Sequence, residues 1–387
     1  MKAGLKKRRE IYPEHIKSPI DPVLSAITLA LLVFGSIMVG SASMEIGVRD
    51  YGNPFHLVAT HHIYIFLGLL SFVFVLGLPM IFWEKMSWLF LIISLVLLSA
   101  VLVPGIGKEV NGSTRWIQIG PINLQGSEFV KLFFLVYLAK SLGSKKDESL
   151  TKYKTFLAPI FFLSLIVLLL MQQPDFGASI VLIFASVAVL YLSGVSSRFL
   201  VPFGFLIFIF IIIFSLAQPY RFERIISFFD PWHDPFGSGY QLTQALIAFG
   251  RGEWLGLGLG NSIQKLFFLP EAHTDFIFSI IGEELGFVGA ASVVLLFLVL
   301  VIRGLSIGNS ARRKGMNFHS SLAYGISILL GVQSVVNLGV NLGVLPTKGI
   351  TLPFISYGGN SLVVCLVMVA ILLRIEIEAG LERDRNG

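Results

Sequence analysis

The sequence predicts an all-α polytopic membrane protein with about ten transmembrane helices, both termini cytoplasmic and a large outer loop between helices seven and eight. Three observations predict it. Of the 387 residues, 55% are hydrophobic and 13% charged, about half the charged share of a soluble domain, and the mean hydropathy is +0.81. Apolar runs such as Ile160–Met171 and Phe203–Leu216 are continuous rather than alternating, which selects helices over a closed barrel as the spanning structure. Lys and Arg fall mostly into every second connection, the pattern that orients a polytopic chain.

At about 20 residues per span, helices are expected near 20–42, 60–80, 86–104, 125–142, 156–172, 178–194, 199–217, 275–302, 319–344 and 355–374. The organisation is a cytoplasmic tail (1–19), one transmembrane domain (20–374, with an outer loop at 218–274) and a second cytoplasmic tail (375–387). Of 29 Lys and Arg, 20 lie on the side of the two tails, eight on the opposite side, and Lys131 lies within the fourth helix. Both termini are therefore assigned to the cytoplasm. Polar, glycine-containing loops at 43–59, 105–124, 218–274 and 345–354 then face outward, and so does any active site. Within the large loop, Leu242, Ala245, Leu246 and Phe249 have helical spacing, which suggests an amphipathic helix on the membrane surface.

The net charge of +6 is explained by cytoplasmic basic loops, and no basic–aromatic constellation points to nucleic acid. The single cysteine, Cys365, excludes an internal disulfide. No early stretch reads as a cleaved signal peptide. No metal-ligand spacing stands out: His61 and His62 are adjacent, while His233 and His273 are isolated. Gly256, Gly258 and Gly260 follow no strand, so they do not form a nucleotide loop.

Ionisable groups inside a membrane segment mark function or pairing. Asp275 stands where the outer loop enters the eighth helix, two residues after His273. It suits both a helix N-cap, a role open to Thr274 as well, and a general base, and the two roles can coexist. Glu283 lies about 80° around that helix from Asp275 and Glu284 about 180°, both roughly 12–13 Å deeper. No paired-carboxylate site of the glycosidase type is expected from this helix, and both glutamates suit structural bonds within the bundle. Glu128 and Lys131, three apart, are close enough to pair; Lys131 alternatively faces a cavity and binds a phosphate. Pro174 and Gly177 make a turn with Asp175 at its tip, either a tight connection or a segment lining a water-filled cavity. Arg221, Arg224, Arg251 and Lys265 either gather a pyrophosphate or are solvated loop charge. Asn337 and Asn341, one turn apart, suit hydrogen bonds between helices.

The motifs together resemble the SEDS family (shape, elongation, division and sporulation proteins) over nearly the whole chain. They are Gly112-Ser113-Thr114-Arg115-Trp116-Ile117, Gln125-Gly126-Ser127-Glu128-Phe129-Val130-Lys131, Gln173-Pro174-Asp175, Asp234-Pro235-Phe236-Gly237-Ser238-Gly239-Tyr240-Gln241, His273-Thr274-Asp275-Phe276 and Ile355-Ser356-Tyr357-Gly358-Gly359. The division branch is matched better than the elongation branch, through Ser41-Ala42-Ser43-Met44, Tyr240-Gln241-Leu242-Thr243-Gln244, Gly260-Asn261-Ser262 and Leu345-Pro346-Thr347-Lys348-Gly349. Two positions depart from the family pattern: Gly126 stands where proline is usual and Asn360 where serine is common.

The resemblance implies a peptidoglycan glycosyltransferase of the bacterial cytoplasmic (inner) membrane, acting at the division septum and polymerising lipid II. Asp275 would be the base for the acceptor hydroxyl, and undecaprenyl pyrophosphate the leaving group. Arg115, Lys131, Lys348, Arg221 and Arg224 are the candidate cations; Glu128, Asp175, Gln241, His273 and Ser356 complete the expected substrate site. A divalent cation, magnesium or manganese, at the pyrophosphate is compatible with that chemistry, but no ligand set declares it. The implied partners are a class B penicillin-binding protein and other divisome membrane proteins. Two other functions compete: a lipid II flippase and a non-catalytic divisome scaffold. The outward concentration of polar motifs favours the enzyme, because a flippase needs an inward vestibule of comparable polarity.

Overall fold

The computed structural model describes residues 20–110, 113–120, 122–143, 156–216, 227–347 and 349–386. Among these, eleven helices occur in the order α1 (Pro22–Tyr51), α2 (His56–Gly77), α3 (Met80–Val101), α4 (Gly126–Gly143), α5 (Leu157–Gln172), α6 (Phe176–Leu192), α7 (Ser197–Leu216), α8 (Tyr240–Gly252), α9 (Ile277–Arg313), α10 (Asn317–Asn341) and α11 (Gly359–Asn386). Five of them, α1, α2, α3, α9 and α10, are long and apolar enough to cross a membrane by length and composition. Helices α5, α6 and the stretch Ser197–Leu206 of α7 are apolar but shorter. Helix α8 covers the stretch expected to be amphipathic, and it buries Leu242, Ala245 and Ala248.

Several helices outrun the expected spans. Helix α1 continues to Tyr51, α9 to Arg313 and α11 to Asn386, so residues 375–386, expected as a tail, extend the last helix. Bilayer thickness limits the apolar stretch, not the hydrogen-bonded helix, which continues until a stop signal ends it. For α1 that signal is Gly52, a left-handed cap at φ 65. Its start is equally well marked: Asp21 accepts from the Val23 and Leu24 amides at 2.8 and 3.1 Å, with Pro22 in the first helical position.

The all-α expectation requires a correction. The strands β1 (Gly107–Val110), β2 (Ser113–Ile119) and β3 (Ile122–Gln125) form a three-stranded antiparallel sheet. Ile119 pairs with Ile122 at the end of the β2–β3 ladder, and Gly120 has φ 60. These strands are four to seven residues long, short enough to be read as loop beside the long apolar runs.

Helices α4 and α10 and residues 360–375 of α11 are the innermost: α4 buries almost every residue from Gly126 to Ala139, and α10 packs against α4, α6 and α9. Phe134 and Leu135 of α4 and Leu322, Ile326 and Leu329 of α10 are at most 1% exposed. Helices α2, α3 and α9 instead expose apolar faces, among them Phe66, Val73, Trp88, Leu295 and Leu298. Polar side chains on α4 and α10 are therefore turned toward one another, which is where a membrane bundle tolerates them.

Candidate functional site

A cavity of about 970 Å³ opens among β2, α4, the α5–α6 turn, the start of α8, loop 270–276, residues 346–347, 349–351 and 357–358, and the start of α11. Seven of the eleven candidate catalytic and substrate-binding residues line it: Asp275, Arg115, Lys131, Glu128, Asp175, Gln241 and His273. Arg221, Arg224 and Lys348 lie outside the described residues.

The loop carrying Asp275 is held by its backbone. The Tyr357 amide donates to the His273 carbonyl at 2.9 Å, and the Ser356 hydroxyl donates to the Thr274 carbonyl at 2.6 Å. The side-chain amides of Asn337 and Asn341 donate to the Asp275 carbonyl at 2.8 and 2.9 Å. Asn341 also accepts from the Ser279 amide and hydroxyl at 3.1 and 2.8 Å, and Asn337 donates to the Ile350 carbonyl at 2.6 Å. Three successive carbonyls are thus occupied, and the Asp275 side chain is directed to the cavity wall. There its Oδ2 lies beside Gly349, where a Cβ would come within 3.3 Å of it and the backbone has φ 61. The capping role does not apply: α9 begins at Ile277, its N-cap is Phe276, and no side chain caps it.

Ser356 was expected to contact substrate directly. Its hydroxyl is instead engaged behind the loop, donating to Thr274 and accepting from the Leu352 amide at 2.8 Å. His273 is half-buried, with Nδ1 lacking a hydrogen-bond partner. Burial pushes its imidazole below the ordinary 6.5, against the opposing pull of Glu271 and Asp50, which favours the neutral ring at neutral pH.

Deeper in the cavity, the Lys131 ammonium donates to Glu128 Oε1 at 2.9 Å and to Gln333 Oε1 at 2.8 Å. Gln333 Nε2 in turn donates to the Thr351 carbonyl at 3.1 Å. Lys131 is thus paired with Glu128 and also lines the cavity. Arg115 reaches from β2 to the Gln173 and Pro174 carbonyls, fastening the sheet to the α5–α6 turn. A guanidinium has five N–H donors, so these bonds leave it donors for an anion. Asp175 caps α6 through the Ala178 amide at 3.2 Å, while its buried Oδ2 has no hydrogen-bond partner. Asn360, one of the two departures from the family pattern, donates to the Asn123 carbonyl of β3 at 2.7 Å, tying α11 to the sheet.

The described lining carries two cations, Arg115 and Lys131, against four carboxylates, Glu128, Asp175, Glu271 and Asp275. Glu283 and Glu284 are absent from that lining and, as expected, make structural bonds. Glu283 accepts from the Ser262 hydroxyl and the Ile263 and Gln264 amides and pairs with Arg251; Glu284 binds Ser41 and Lys265. Arg251 and Lys265 are thereby accounted for within the protein. Sequence reasoning missed Gln333, and it read Asn337 and Asn341 only as helix–helix contacts. Residues 333, 337 and 341 recur every four positions on α10, and that polar stripe was the available signal.

Residues 22–380 match the FTSW_RODA_SPOVE family, described as cell cycle protein. The probable peptidoglycan glycosyltransferase FtsW of Hahella chejuensis is 49% identical over 93% of this chain and 91% of its own length. That of Allochromatium vinosum is 50% identical over 93% and 90%. Among solved structures, one reported as the structural coordination of polymerization and crosslinking by a peptidoglycan synthase complex superposes with TM-score 0.75 and 29% identity, covering 92% of this chain and 97% of that one. The Thermus thermophilus rod shape determining protein RodA gives TM-score 0.69 and 27% identity, covering 97% and 100%. With its motifs gathered around one cavity and its similarity running almost end to end, the chain belongs to the FtsW/RodA/SpoVE family of cell cycle proteins.

Proposed function

We propose that this chain is a peptidoglycan glycosyltransferase that polymerises lipid II during cell division, with Asp275 as general base. The observation that carries the reading is the backbone clamp on residues 273–275, which presents the Asp275 carboxylate to a cavity also lined by Lys131 and Arg115. The names of the FtsW relatives support the activity.

In the step, Asp275 accepts the proton of the acceptor sugar hydroxyl as its oxygen attacks the donor's anomeric carbon. The new glycosidic C–O bond forms while the bond from that carbon to the pyrophosphate oxygen breaks, and undecaprenyl pyrophosphate leaves with the electron pair. A positioned base contributes roughly 10²–10⁴-fold; charge on the leaving group is the other demand, met by Lys131 and Arg115. Two cations against four carboxylates leave the described lining short of positive charge for a pyrophosphate. Lys348, Arg221 and Arg224 are the further cations proposed, together with a divalent ion. Asp175, with its unpartnered Oδ2, suits such an ion. No group of three metal-binding side chains exists among the described residues, so the ion's other ligands would be phosphate oxygens and water. When bound it supplies charge neutralisation at the leaving group.

The ten-span topology with cytoplasmic termini and the outward-facing loop 218–274 belong to the same proposal, supported by the charge distribution and by the similarity to RodA. Placement in the bacterial inner membrane at the septum is part of the same proposal, supported by family membership. A class B penicillin-binding protein is the proposed partner, supported by likeness to a complex that couples polymerisation with crosslinking; other divisome membrane proteins are proposed beside it. The test uses purified protein with that partner and labelled lipid II. Glycan strands should vanish in Asp275→Ala, while undiminished polymer from that variant would sink the base assignment. Headgroup translocation in proteoliposomes without polymer would replace this reading with a flippase.

A further inference from the structure

Two polar ties between α1 and α9 define a level in the bilayer. At one end the Arg303 guanidinium meets Asp21; at the other, the Ser41 hydroxyl and the Lys265 ammonium meet Glu284, each at 2.7 Å. On the unbroken α1 the ties are about 20 residues apart, which at roughly 1.5 Å per residue is about 30 Å, the thickness of the hydrocarbon core. The outer tie therefore marks the boundary between acyl chains and headgroups.

At that boundary α9 is broken at Gly286, with φ 65 and ψ −164, and the preceding loop fills the break. The Leu257 and Gly258 amides donate to the Glu283 and Glu284 carbonyls at 3.0 and 2.9 Å. In return the Phe287 and Val288 amides donate to the Glu253 and Trp254 carbonyls at 2.9 and 3.2 Å. Gly256 approaches so closely that a Cβ on either it or Gly286 would collide with the other strand's backbone. Main-chain groups paired inside the protein are what contact with lipid demands.

The exposed side of this segment is apolar. Trp254, Leu255, Leu257, Leu259, Phe267 and Phe268 are all exposed, Leu255 at 79%. Between Trp254 and Phe268 Lys265 is the one ionisable residue, and it is buried against Glu284. An apolar face of this size on a polar loop marks an interaction surface. It continues, through Phe287 and Val288, into the exposed face of α9 that carries Leu295, Leu298 and Ile302, and tryptophan at this level is typical of a membrane interface.

We propose that residues 254–268 lie in the outer-leaflet boundary of the bilayer, with these six side chains covered by phospholipid acyl chains. The segment runs directly into the clamped loop at 269–276, so it fixes the height of Asp275 above the membrane. The inference rests on the membrane-spanning α1 and α9 and not on the enzymatic reading.

The test places a nitroxide on Leu255→Cys or Leu257→Cys, in a Cys365→Ala background reconstituted in phosphatidylethanolamine–phosphatidylglycerol vesicles. Collision with oxygen and with a water-soluble nickel chelate is then compared with labels at Leu298→Cys on α9 and Glu109→Cys on β1. The expected oxygen-to-nickel ratio at 255 and 257 is well above that at 109 and below that at 298, as a position at the edge of the hydrocarbon core requires. A ratio equal to that at 109 overturns the proposal. Exclusion of both reagents also overturns it, because a protein partner or a second copy would then cover the face. Native Trp254 provides a reading without labels: brominated phospholipid should quench a component of the fluorescence that is missing in Trp254→Phe. Equal quenching of the two proteins would count against the proposal.

Discussion

Lys131 separates structural from functional roles most sharply, because it serves both. Its side chain is 3% exposed and that of Glu128 10%, with 2.9 Å between the charged atoms. Replacing Lys131 by Met leaves a buried carboxylate without its cation, a loss of about 3–5 kcal/mol. Glu128→Gln leaves the buried ammonium without its counter-charge, with a cost of the same order. The double variant Glu128→Gln/Lys131→Met removes both charges, and its stability should return to within about 1 kcal/mol of the parent or exceed it. A double-mutant cycle by reversible unfolding in nanodiscs measures this coupling. Polymerisation of labelled lipid II, run on the same four proteins, reads the second role. The stable double variant should make no polymer, since the cation proposed to face the leaving group is gone. A double variant as unstable as either single one refutes the buried-pair argument. A stable double variant with parental polymer yield refutes the role of Lys131 in the reaction.

The remaining expectations concern the loop that presents Asp275. Asn337→Ala and Asn341→Ala each strip a donor from the Asp275 carbonyl, so each should cost about 1–3 kcal/mol, and the pair should slow polymerisation at least about tenfold. Unchanged turnover in the double variant would show that the clamp does not position the base. At Gly349, with φ 61, an alanine Cβ would sit 3.3 Å from Asp275 Oδ2. Gly349→Ala should therefore lose about 1–3 kcal/mol to backbone strain and lower kcat by displacing the carboxylate, as steady-state polymer assays would detect. His273 has a folded-state affinity for protons below that of the unfolded chain, because burial lowers its pKa from 6.5. The stability this confers is full above 6.5 and is lost as the pH falls from there toward the folded-state value. The parent's melting temperature should accordingly decline more steeply on acidification below about 6.5 than that of His273→Gln, and parallel declines would contradict it.

The spans and the amphipathic helix were readable because apolar runs and helical spacing are local properties. The same is true of the six motifs, since each is contiguous. Helix ends were less legible: α1 outruns its apolar stretch as far as the Gly52 cap, and α9 hides a break at Gly286 that is paired by residues 30 positions earlier in the chain. The β1–β3 sheet escaped notice because strands of four to seven residues carry little periodicity. Gln333 was overlooked because one glutamine in an apolar helix acquires meaning only when Lys131, about 200 positions away, is found beside it.

Membrane residence and helical architecture were legible in the linear chain, and the expected sidedness of the basic loops and the candidacy of Asp275 were raised there, because each depends on composition or on neighbours along it. Tertiary structure alone decided that Asp275 is positioned through its carbonyl rather than by capping α9. It also decided that Glu283 and Glu284 serve the loop at 262–265 and that Ser356 stands behind the site. Such roles depend on which donors and acceptors meet across the bundle. Every polar group removed from water must find a partner, and those partners come from residues that lie far apart in the chain.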